Sequence, residues 1–168
     1  AGNYLILEDM RFSLMGTGPY GWISRLLAPF SGCEIVYSYD RELMAEGQID
    51  LESMNRFFGR NEEIIIDDGT ELFGIIGDPV SHSLSPVMHN NTFTEMGMNR
   101  VYLPIHASPE DLEVMLDILR FAGISGFNVT IPHKQRIIPF LDEIDENADL
   151  IGAVNTVVNE NGSLKGYN

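Results

Sequence analysis

Cysteine, basic residues and long apolar runs are all scarce in this sequence. Its 168 residues include one cysteine, Cys33, so no disulfide can form within the chain; this favours a reducing compartment and predicts a cytoplasmic protein. Only 10 lysines and arginines stand against 25 aspartates and glutamates, and the resulting net charge of -15 disfavours contact with nucleic-acid phosphates. No run approaches the roughly 18 apolar residues of a membrane span. We therefore expect neither a nucleic-acid partner nor a membrane partner.

What is present is typical of a globular protein, with 44% hydrophobic and 21% charged residues. A polar stretch and a turn-rich stretch within residues 61–71 predict a linker, with one domain over residues 1–60 and another over residues 72–168. The chain begins at Ala1 inside apolar material and stops at Asn168 with no closing element. We therefore expect a piece of a longer protein.

Residues 72–168 alternate between strand-like and helix-like stretches. Each of the first two helices is predicted to begin at a Ser-Pro pair, with serine as the N-cap, at Ser85 and Ser108, and to end at a glycine. The turn dipeptide at Asn161 predicts a closing hairpin. This alternation indicates an α/β fold, an open and mostly parallel, mixed sheet with flanking helices. The predicted strands are residues 72–77, 101–106, 125–130, 153–159 and 163–167, and the predicted helical segments are residues 85–97, 108–123, 134–141 and 142–152.

Polar side chains follow the first and third of these strands and begin the fourth. Ser83 and Ser85 lie between a strand end and a helix start, where hydroxyls and free amides can hold a carboxylate, although capping alone would also explain them. Lys134, in the loop after Thr130, is a cation that can bind an anionic substrate or transfer a proton, or a solvated loop lysine. The amide of Asn155 suits a polyol ring, or only a turn.

Taken in order, four motifs resemble those of the shikimate dehydrogenases. The pattern Gly-x-Pro-x-x-His-Ser-x-Ser-Pro-x-x-His-Asn occupies residues 77–90, and Asn-Val-Thr-x-Pro-x-Lys occupies residues 128–134. Ile-Gly-Ala-Val-Asn-Thr follows at residues 151–156, and Gly-Tyr-Asn at residues 166–168 matches the start of a fourth motif. The resemblance covers residues 72–168 without a gap.

The resemblance implies the reduction of 3-dehydroshikimate to shikimate with NADPH, in the shikimate pathway of aromatic amino acid biosynthesis. It implies that Ser83 and Ser85 hold the carboxylate of this small anionic substrate, that Thr130 and Asn155 contact its ring hydroxyls, and that Lys134 contacts the ring and assists proton transfer. The family continues past Asn168 with an aspartate that pairs with the lysine and with a domain that binds NADP. A catalytically silent module that binds shikimate or quinate is the alternative, and the proton-transfer lysine favours the enzyme.

Residues 1–60 read as strand, helix, strand, loop and helix. The pattern Gly-x-Gly-x-x-Gly at residues 16–21, with Asp40 closing the next strand, fits a dinucleotide loop, although Trp22 is bulky where close packing is wanted. The predicted elements are strands at residues 11–15 and 33–39 and helices at residues 21–27 and 50–58.

A second resemblance explains more of this first segment. Met-Gly at residues 15–16, Gly-x-x-Ser-Arg-Leu at 21–26 and Ala-x-Gly-Gln at 45–48 resemble the end of a type I 3-dehydroquinate dehydratase. The resemblance implies a partial TIM barrel of two strand–helix units, fused to the dehydrogenase, in which Arg25 binds the substrate carboxylate and Gln48 helps to hold the substrate. Met44 and Glu46 depart from that family's loop, and the Schiff-base lysine would lie upstream. We predict no metal site, because the four histidines lack ligand spacing.

Overall fold

The computed structural model divides into two compact units, Ala1–Leu51 and Glu52–Asn168. The domain limits predicted from the sequence, a linker at 61–71 between two domains, stay predictions. The residues that the structure describes are 13, 15–18, 20–33, 35–58, 66–67 and 69–168.

The first unit contains the helix predicted after the glycine loop. Helix α1, Gly21–Leu27, has the predicted bounds and runs into a short 3₁₀ turn, Ala28–Ser31. Its apolar residues Ile23 and Leu26 are 3% and 1% exposed, so α1 is held by burial of one face. Helix α2, Leu51–Phe58, begins at the end of this unit, one residue after its predicted start.

The strand predicted at residues 33–39 is wrong. The described residues of this stretch form only a single parallel bridge, between Tyr39 and Asp50. Ile35 and Tyr37, two large apolar side chains of this stretch, are each 53% exposed. An alternating pattern makes a strand only where a neighbour offers a backbone ladder, and the described part of this unit supplies none there. Of the strand predicted at 11–15, residues 11, 12 and 14 lie outside the described residues, and Ser13 and Met15 are not in a strand.

The second unit contains the predicted open, mixed α/β sheet. Its six strands lie in the order β2-β1-β3-β5-β6-β4. Strand β1 is parallel to β2 and β3, β5 is antiparallel to β3 and β6, and the short β4 is parallel to β6. The strands are β1 Glu71–Gly77, β2 Arg100–His106, β3 Gly126–Val129, β4 Glu143–Ile144, β5 Thr156–Glu160 and β6 Ser163–Tyr167, and the helices are α3 Ser85–Glu95, α4 Leu112–Phe121, α5 His133–Arg136 and α6 Glu146–Ile151.

Close approach of β1 and β2 fixes a glycine in the middle of the sheet. A Cβ added at Gly74 would lie 2.6 Å from Ile105 Cδ1 and 2.8 Å from the carbonyl oxygen of Leu103. The side chains of Val101, Leu103 and Ile105 on that face are 0–1% exposed. The two strands are therefore packed too closely for a side chain at position 74. On helix α4 the predicted apolar face is also buried: Leu112, Met115, Leu116 and Leu119 are 1–2% exposed.

Two helix starts differ from their prediction. Ser85 is the first residue of α3 rather than its N-cap, which is Leu84, and the hydroxyl of Ser83 accepts from the Ser85 amide at 3.3 Å. Helix α4 begins only at Leu112, because Ser108 instead closes a turn, its hydroxyl accepting from the amide of Asp111 at 3.2 Å. Ser108 thus shapes a turn before α4 instead of capping the helix, and before α3 the contact to an amide is made by Ser83 and not by the predicted Ser85.

The predicted hairpin is confirmed. Asn161 and Gly162 join β5 to β6 with φ values of 55° and 94°. Positive φ at both central residues is the type I′ geometry that matches the twist of antiparallel strands. Among the helices of the described residues, none has both the length and the apolar character needed to cross a bilayer.

Candidate functional site at one edge of the sheet

Three segments of the second unit meet at one edge of its sheet. Strands β1 and β3 are parallel and end side by side, with Ile76 opposite Val129. Strand β5 runs the other way, so that it begins where β3 ends, with Asn128 opposite Thr156. The loops after β1 and β3 and the residue before β5 therefore lie at the same edge. Open α/β sheets bind ligands at the carboxyl ends of their parallel strands.

The two serines predicted to bind a carboxylate occupy the loop between β1 and α3. Ser83 and Ser85 are both half-buried. The amide of Ser83 donates to the carbonyl of Val80 at 3.0 Å, which shapes the loop. No side-chain hydrogen bond caps the start of α3, so the hydroxyl of Ser85 does not have the capping role and is available to a ligand.

Thr130 lies where the loops after β1 and β3 are joined. Its amide donates to the carbonyl of Ile76 at 3.0 Å, and the amide of Asp78 donates to the carbonyl of Ile131 at 3.0 Å. A Cβ at Gly77 would overlap the methyl group of Thr130, so this glycine permits the close approach. The two loops thus form one connected rim.

Lys134 lies in the first turn after this rim, and its side chain is exposed. Its carbonyl accepts from the amide of Val154 at 2.7 Å, which joins the lysine turn to the segment before β5. Within the described part of the chain, its ε-amine has neither a hydrogen bond nor an ion pair. The charge is therefore free to meet a ligand or a carboxylate.

Asn155 is half-buried and held on both sides by backbone pairing. Its amide donates to the carbonyl of Tyr167 at 2.9 Å, and its carbonyl accepts from Val129 at 2.8 Å. Its side-chain oxygen accepts from the Thr156 hydroxyl at 2.8 Å, and its Nδ2 donates to Asn168 Oδ1 at 2.8 Å. The structure thus joins Thr130, Lys134 and Asn155 through backbone hydrogen bonds and places the serines after the neighbouring strand.

Sequence reasoning missed three polar residues beside this edge: Tyr102, Asn128 and Thr156. The hydroxyl of Tyr102 donates to Asn128 Oδ1 at 2.6 Å, and burial raises the pKa of this phenol, so it is a neutral donor. A signal was present, since Asn128 is a polar residue inside an otherwise apolar strand and stands within one of the four motifs.

His133, next to Lys134, was predicted only as part of a loop. It is 0% exposed, and its Nε2 lies 2.8 Å from the carbonyl oxygen of Ala107. Burial is the main reason why the pKa of His133 is lowered, an effect that the Ala107 carbonyl partly opposes. The imidazole fixes the lysine turn to the loop after β2. No group of three His, Cys, Asp or Glu side chains within the described residues could hold a metal ion.

In the first unit, Arg25 is buried and contacts backbone. Its Nη1 donates to the carbonyls of Gly16, Gly21 and Gly47 at 2.8, 2.9 and 2.7 Å. The side-chain oxygen of Gln48 accepts from the amides of Met44 and Ala45 at 2.8 and 3.1 Å. Arg25 therefore holds two glycine-containing loops and Gln48 shapes its own loop, and the role of both residues toward a substrate stays a prediction.

The glycine loop at residues 16–21 does not have the form of a phosphate cradle. The amide of Gly16 donates to Ser24 Oγ at 2.8 Å, and the amide of Gly21 donates to the carbonyl of Gly18 at 2.9 Å. A Cβ at Gly47 would lie 2.6 Å from Gly21 Cα, so backbone already fills this side of the loop. The residues described here do not fit the phosphates of a nucleotide.

Comparison with known proteins gives a specific match for the second unit. Residues 75–157 match the model of the shikimate dehydrogenase substrate binding domain. A curated NADP(+) shikimate dehydrogenase from Caldanaerobacter subterraneus subsp. tengcongensis is 54% identical over 103 residues, covering 61% of this chain and 37% of that protein. The chain thus spans little more than a third of the length of this relative.

Solved structures agree with this match. A crystal structure of shikimate dehydrogenase in complex with NADP+ is 51% identical with a TM-score of 0.59, covering 61% of this chain and 36% of that one. A Listeria monocytogenes shikimate 5-dehydrogenase in complex with shikimate and NAD is 40% identical with a TM-score of 0.59, covering 65% of this chain and 37% of that one. In sequence and in fold, residues 75–157 of this chain are similar to the shikimate dehydrogenase substrate binding domain.

Proposed function

We propose that the second unit binds shikimate and 3-dehydroshikimate, as the substrate-binding part of an NADP-dependent shikimate dehydrogenase in aromatic amino acid biosynthesis. One observation carries this proposal. Two hydroxyl-bearing loops, an unpaired lysine and a fixed carboxamide lie at one edge of a sheet whose residues 75–157 match the substrate binding domain of that family. A carboxylate, a polyol ring and a carbonyl are the groups that such a set of side chains can bind.

Each side chain has a role that follows from its chemistry. The hydroxyls of Ser83 and Ser85 donate to the substrate carboxylate beside the start of α3, where amides and the helix dipole favour an anion. The Thr130 hydroxyl and the Asn155 carboxamide bind ring hydroxyls, for which both can donate and accept.

Lys134 supplies charge at the reacting carbonyl. When the carbonyl carbon of 3-dehydroshikimate is reduced, negative charge builds on its oxygen. The Lys134 ammonium stabilises that charge and transfers a proton from Nζ to the oxygen. The exposed, unpaired state of the ε-amine supports this role, because no carboxylate among the described residues neutralises it beforehand.

NADP is the cofactor of the curated relatives, and it supplies the hydride in this reaction class. The glycine loop of the first unit does not fit it, and the chain spans 37% of such a relative. We therefore propose that the 168-residue chain binds substrate without turning it over, and that turnover requires the larger enzyme.

For the first unit we infer the end of a type I 3-dehydroquinate dehydratase barrel, fused to the dehydrogenase. The support is the sequence resemblance together with the packing of Arg25 against Gly47, which brings the arginine beside the loop of Gln48. In that role the two remaining guanidinium nitrogens of Arg25, Nε and Nη2, would bind a carboxylate. Dehydratase activity of the parent protein, lost in R25A and Q48A, would test it.

Calorimetric titration of the 168-residue chain with shikimate tests the main proposal. We expect saturable 1:1 binding that is at least tenfold weaker in a Ser83→Ala/Ser85→Ala double variant, with Ser163→Ala as the matched control. No binding, or equal binding by all three proteins, would contradict it. Turnover by the larger enzyme separates the dehydrogenase from a silent binding module: the module would bind shikimate and never oxidise it with NADP.

A further inference from the structure

A continuous chain of side-chain hydrogen bonds crosses the sheet and ends at Asn155. The Tyr102 hydroxyl donates to Asn128 Oδ1 at 2.6 Å. Asn128 Nδ2 donates to the Thr156 hydroxyl at 3.4 Å and to the Asn155 carbonyl at 3.5 Å. The Thr156 hydroxyl then donates to Asn155 Oδ1 at 2.8 Å. Residues of β2, β3 and β5 are thus linked to a carboxamide at the candidate site.

Each hydrogen bond in this chain sets the direction of the next. The neutral phenol of Tyr102 gives its proton to Asn128, so the oxygen of the Asn128 carboxamide faces the tyrosine and its nitrogen faces Thr156. The Thr156 hydroxyl accepts there, and its own proton points to Asn155 Oδ1. The carboxamide of Asn155 consequently has its nitrogen on the opposite side, where it donates to Asn168.

The start of the chain is rigid. Tyr102 is 4% exposed, and its backbone is bound on both sides by the carboxamide of Asn90, with distances of 3.0 and 2.7 Å. The His89 ring stacks on the tyrosine ring, with centroids 4.4 Å apart. A phenol held in this way cannot turn toward a different acceptor, so the orientation that it sets persists.

We propose that Tyr102 is a positioning residue which, through Asn128 and Thr156, fixes which end of the Asn155 carboxamide faces the ligand. One N–H of Asn155 and one lone pair of its oxygen are left for a ligand, so the fixed amide is matched to one donor and one acceptor on neighbouring ring hydroxyls. If the Asn155 amide were reversed, its free N–H and its free oxygen lone pair would exchange positions. The identity of the ligand rests on the proposed function, whereas the orientation of the Asn155 carboxamide does not.

Two paired substitutions test the orientation in the 168-residue chain. Tyr102→Phe removes only the hydroxyl, and Tyr37→Phe removes an exposed one as its control. Thr156→Val removes the hydroxyl that accepts from Asn128, and Thr156→Ser, which keeps a hydroxyl, is its control. In NMR spectra without ligand, contacts between the Asn155 side-chain protons and Asn168 should weaken in Tyr102→Phe and Thr156→Val and persist in the two controls.

Ligand titrations then connect orientation to recognition. We expect shikimate to bind about threefold to tenfold more weakly to Tyr102→Phe and Thr156→Val. Cyclohex-1-ene-1-carboxylate, which has no ring hydroxyls, should bind wild type and the four variants equally. The hydrogen-bond chain orients Asn155, which contacts only ring hydroxyls. Equal weakening for both ligands would show general damage and overturn the proposal, as would unchanged Asn155 contacts. If wild type binds neither ligand, the proposed function fails, and the NMR comparison still decides the orientation.

Discussion

The amide of Val154 donates to the carbonyl of Lys134 at 2.7 Å, and this bond joins the lysine turn to the residue before Asn155. The two residues are 20 positions apart in sequence. Two side chains with different proposed roles, one for charge and one for hydroxyl recognition, therefore share one rigid piece of backbone. A displacement of the backbone at the lysine turn should therefore also displace Asn155.

Loss of the lysine should affect chemistry more than binding. In the larger dehydrogenase that we propose, Lys134→Ala should lower kcat by about 10²–10⁴-fold, the usual value of positioned proton transfer, with KM changed much less. Steady-state kinetics with shikimate and NADP measure both, and Lys165→Ala, which removes a lysine paired with Glu143 at 3.2 Å, is the control. A kcat within about threefold of wild type would exclude the proton-transfer role.

The serine loop should show the opposite pattern. We expect Ser83→Ala and Ser85→Ala each to raise KM for shikimate by the equivalent of about 1–3 kcal/mol, because each removes a hydrogen bond to a charged group. The same kinetics with a substrate amide in place of the carboxylate should show a smaller loss. An unchanged KM in both variants would leave Ser83 with only its contact to the Ser85 amide.

His133 should make the second unit less stable in mild acid. Burial lowers its pKa below the ordinary value of 6.5, so below that pH the unfolded chain binds a proton more readily than the folded one. The contribution is fully present above about pH 6.5 and is lost as the pH falls toward the lowered folded value. Nearby Asp78 raises this pKa, whereas Arg136 and His106 lower it further.

Urea unfolding between pH 7 and pH 5 measures this dependence. His133→Gln keeps a donor for the Ala107 carbonyl and cannot titrate there, so its unfolding free energy should fall less steeply over that range. Because the carboxylates titrate in both proteins, the difference between the slopes isolates His133. Parallel slopes would show that the histidine is not the group responsible.

We expect Arg25, the buried arginine of the first unit, to stabilise the fold of that unit whatever its function is. Arg25→Leu leaves the carbonyls of Gly16 and Gly47 without this donor and should cost about 2–4 kcal/mol of unfolding free energy. Arg41→Leu is the control, because its pairing with Asp40 at 3.6 Å is on the surface, where such pairs contribute little. Equal denaturation midpoints would contradict the burial of Arg25.

The parts of the fold predicted correctly are those where local and long-range preferences agree. Helix α4, the parallel strands and the hairpin at Asn161 have strong periodicity or a specific turn dipeptide. The error at residues 33–39 arose because residue types that favour a strand do not show whether another segment pairs with it, and here the described residues form a single bridge. Strand β4 was missed because Glu143–Ile144 has two residues, too few for any period.

For the candidate site, the motifs predict the two serines, Thr130, Lys134 and Asn155, and their role toward a ligand stays a prediction. The hydrogen-bond chain from Tyr102 to Asn155 was not predictable, because the bonds of Tyr102 and Asn128 join residues 26 to 28 positions apart on different strands. Tyr102 has the same appearance in sequence as any core aromatic residue. Only the register of the sheet places its hydroxyl against Asn128 rather than in the apolar interior.

The antiparallel course of β5 separates the site from the hairpin turn at Asn161 and Gly162. Asn155 directly precedes this five-residue strand and the turn follows it, about 20 Å away at the usual rise of a strand. New chain termini, a fluorophore or a surface tether introduced at the turn would therefore leave the ligand edge untouched. The turn is a practical entry point for engineering or immobilising this domain while its ligand edge stays accessible.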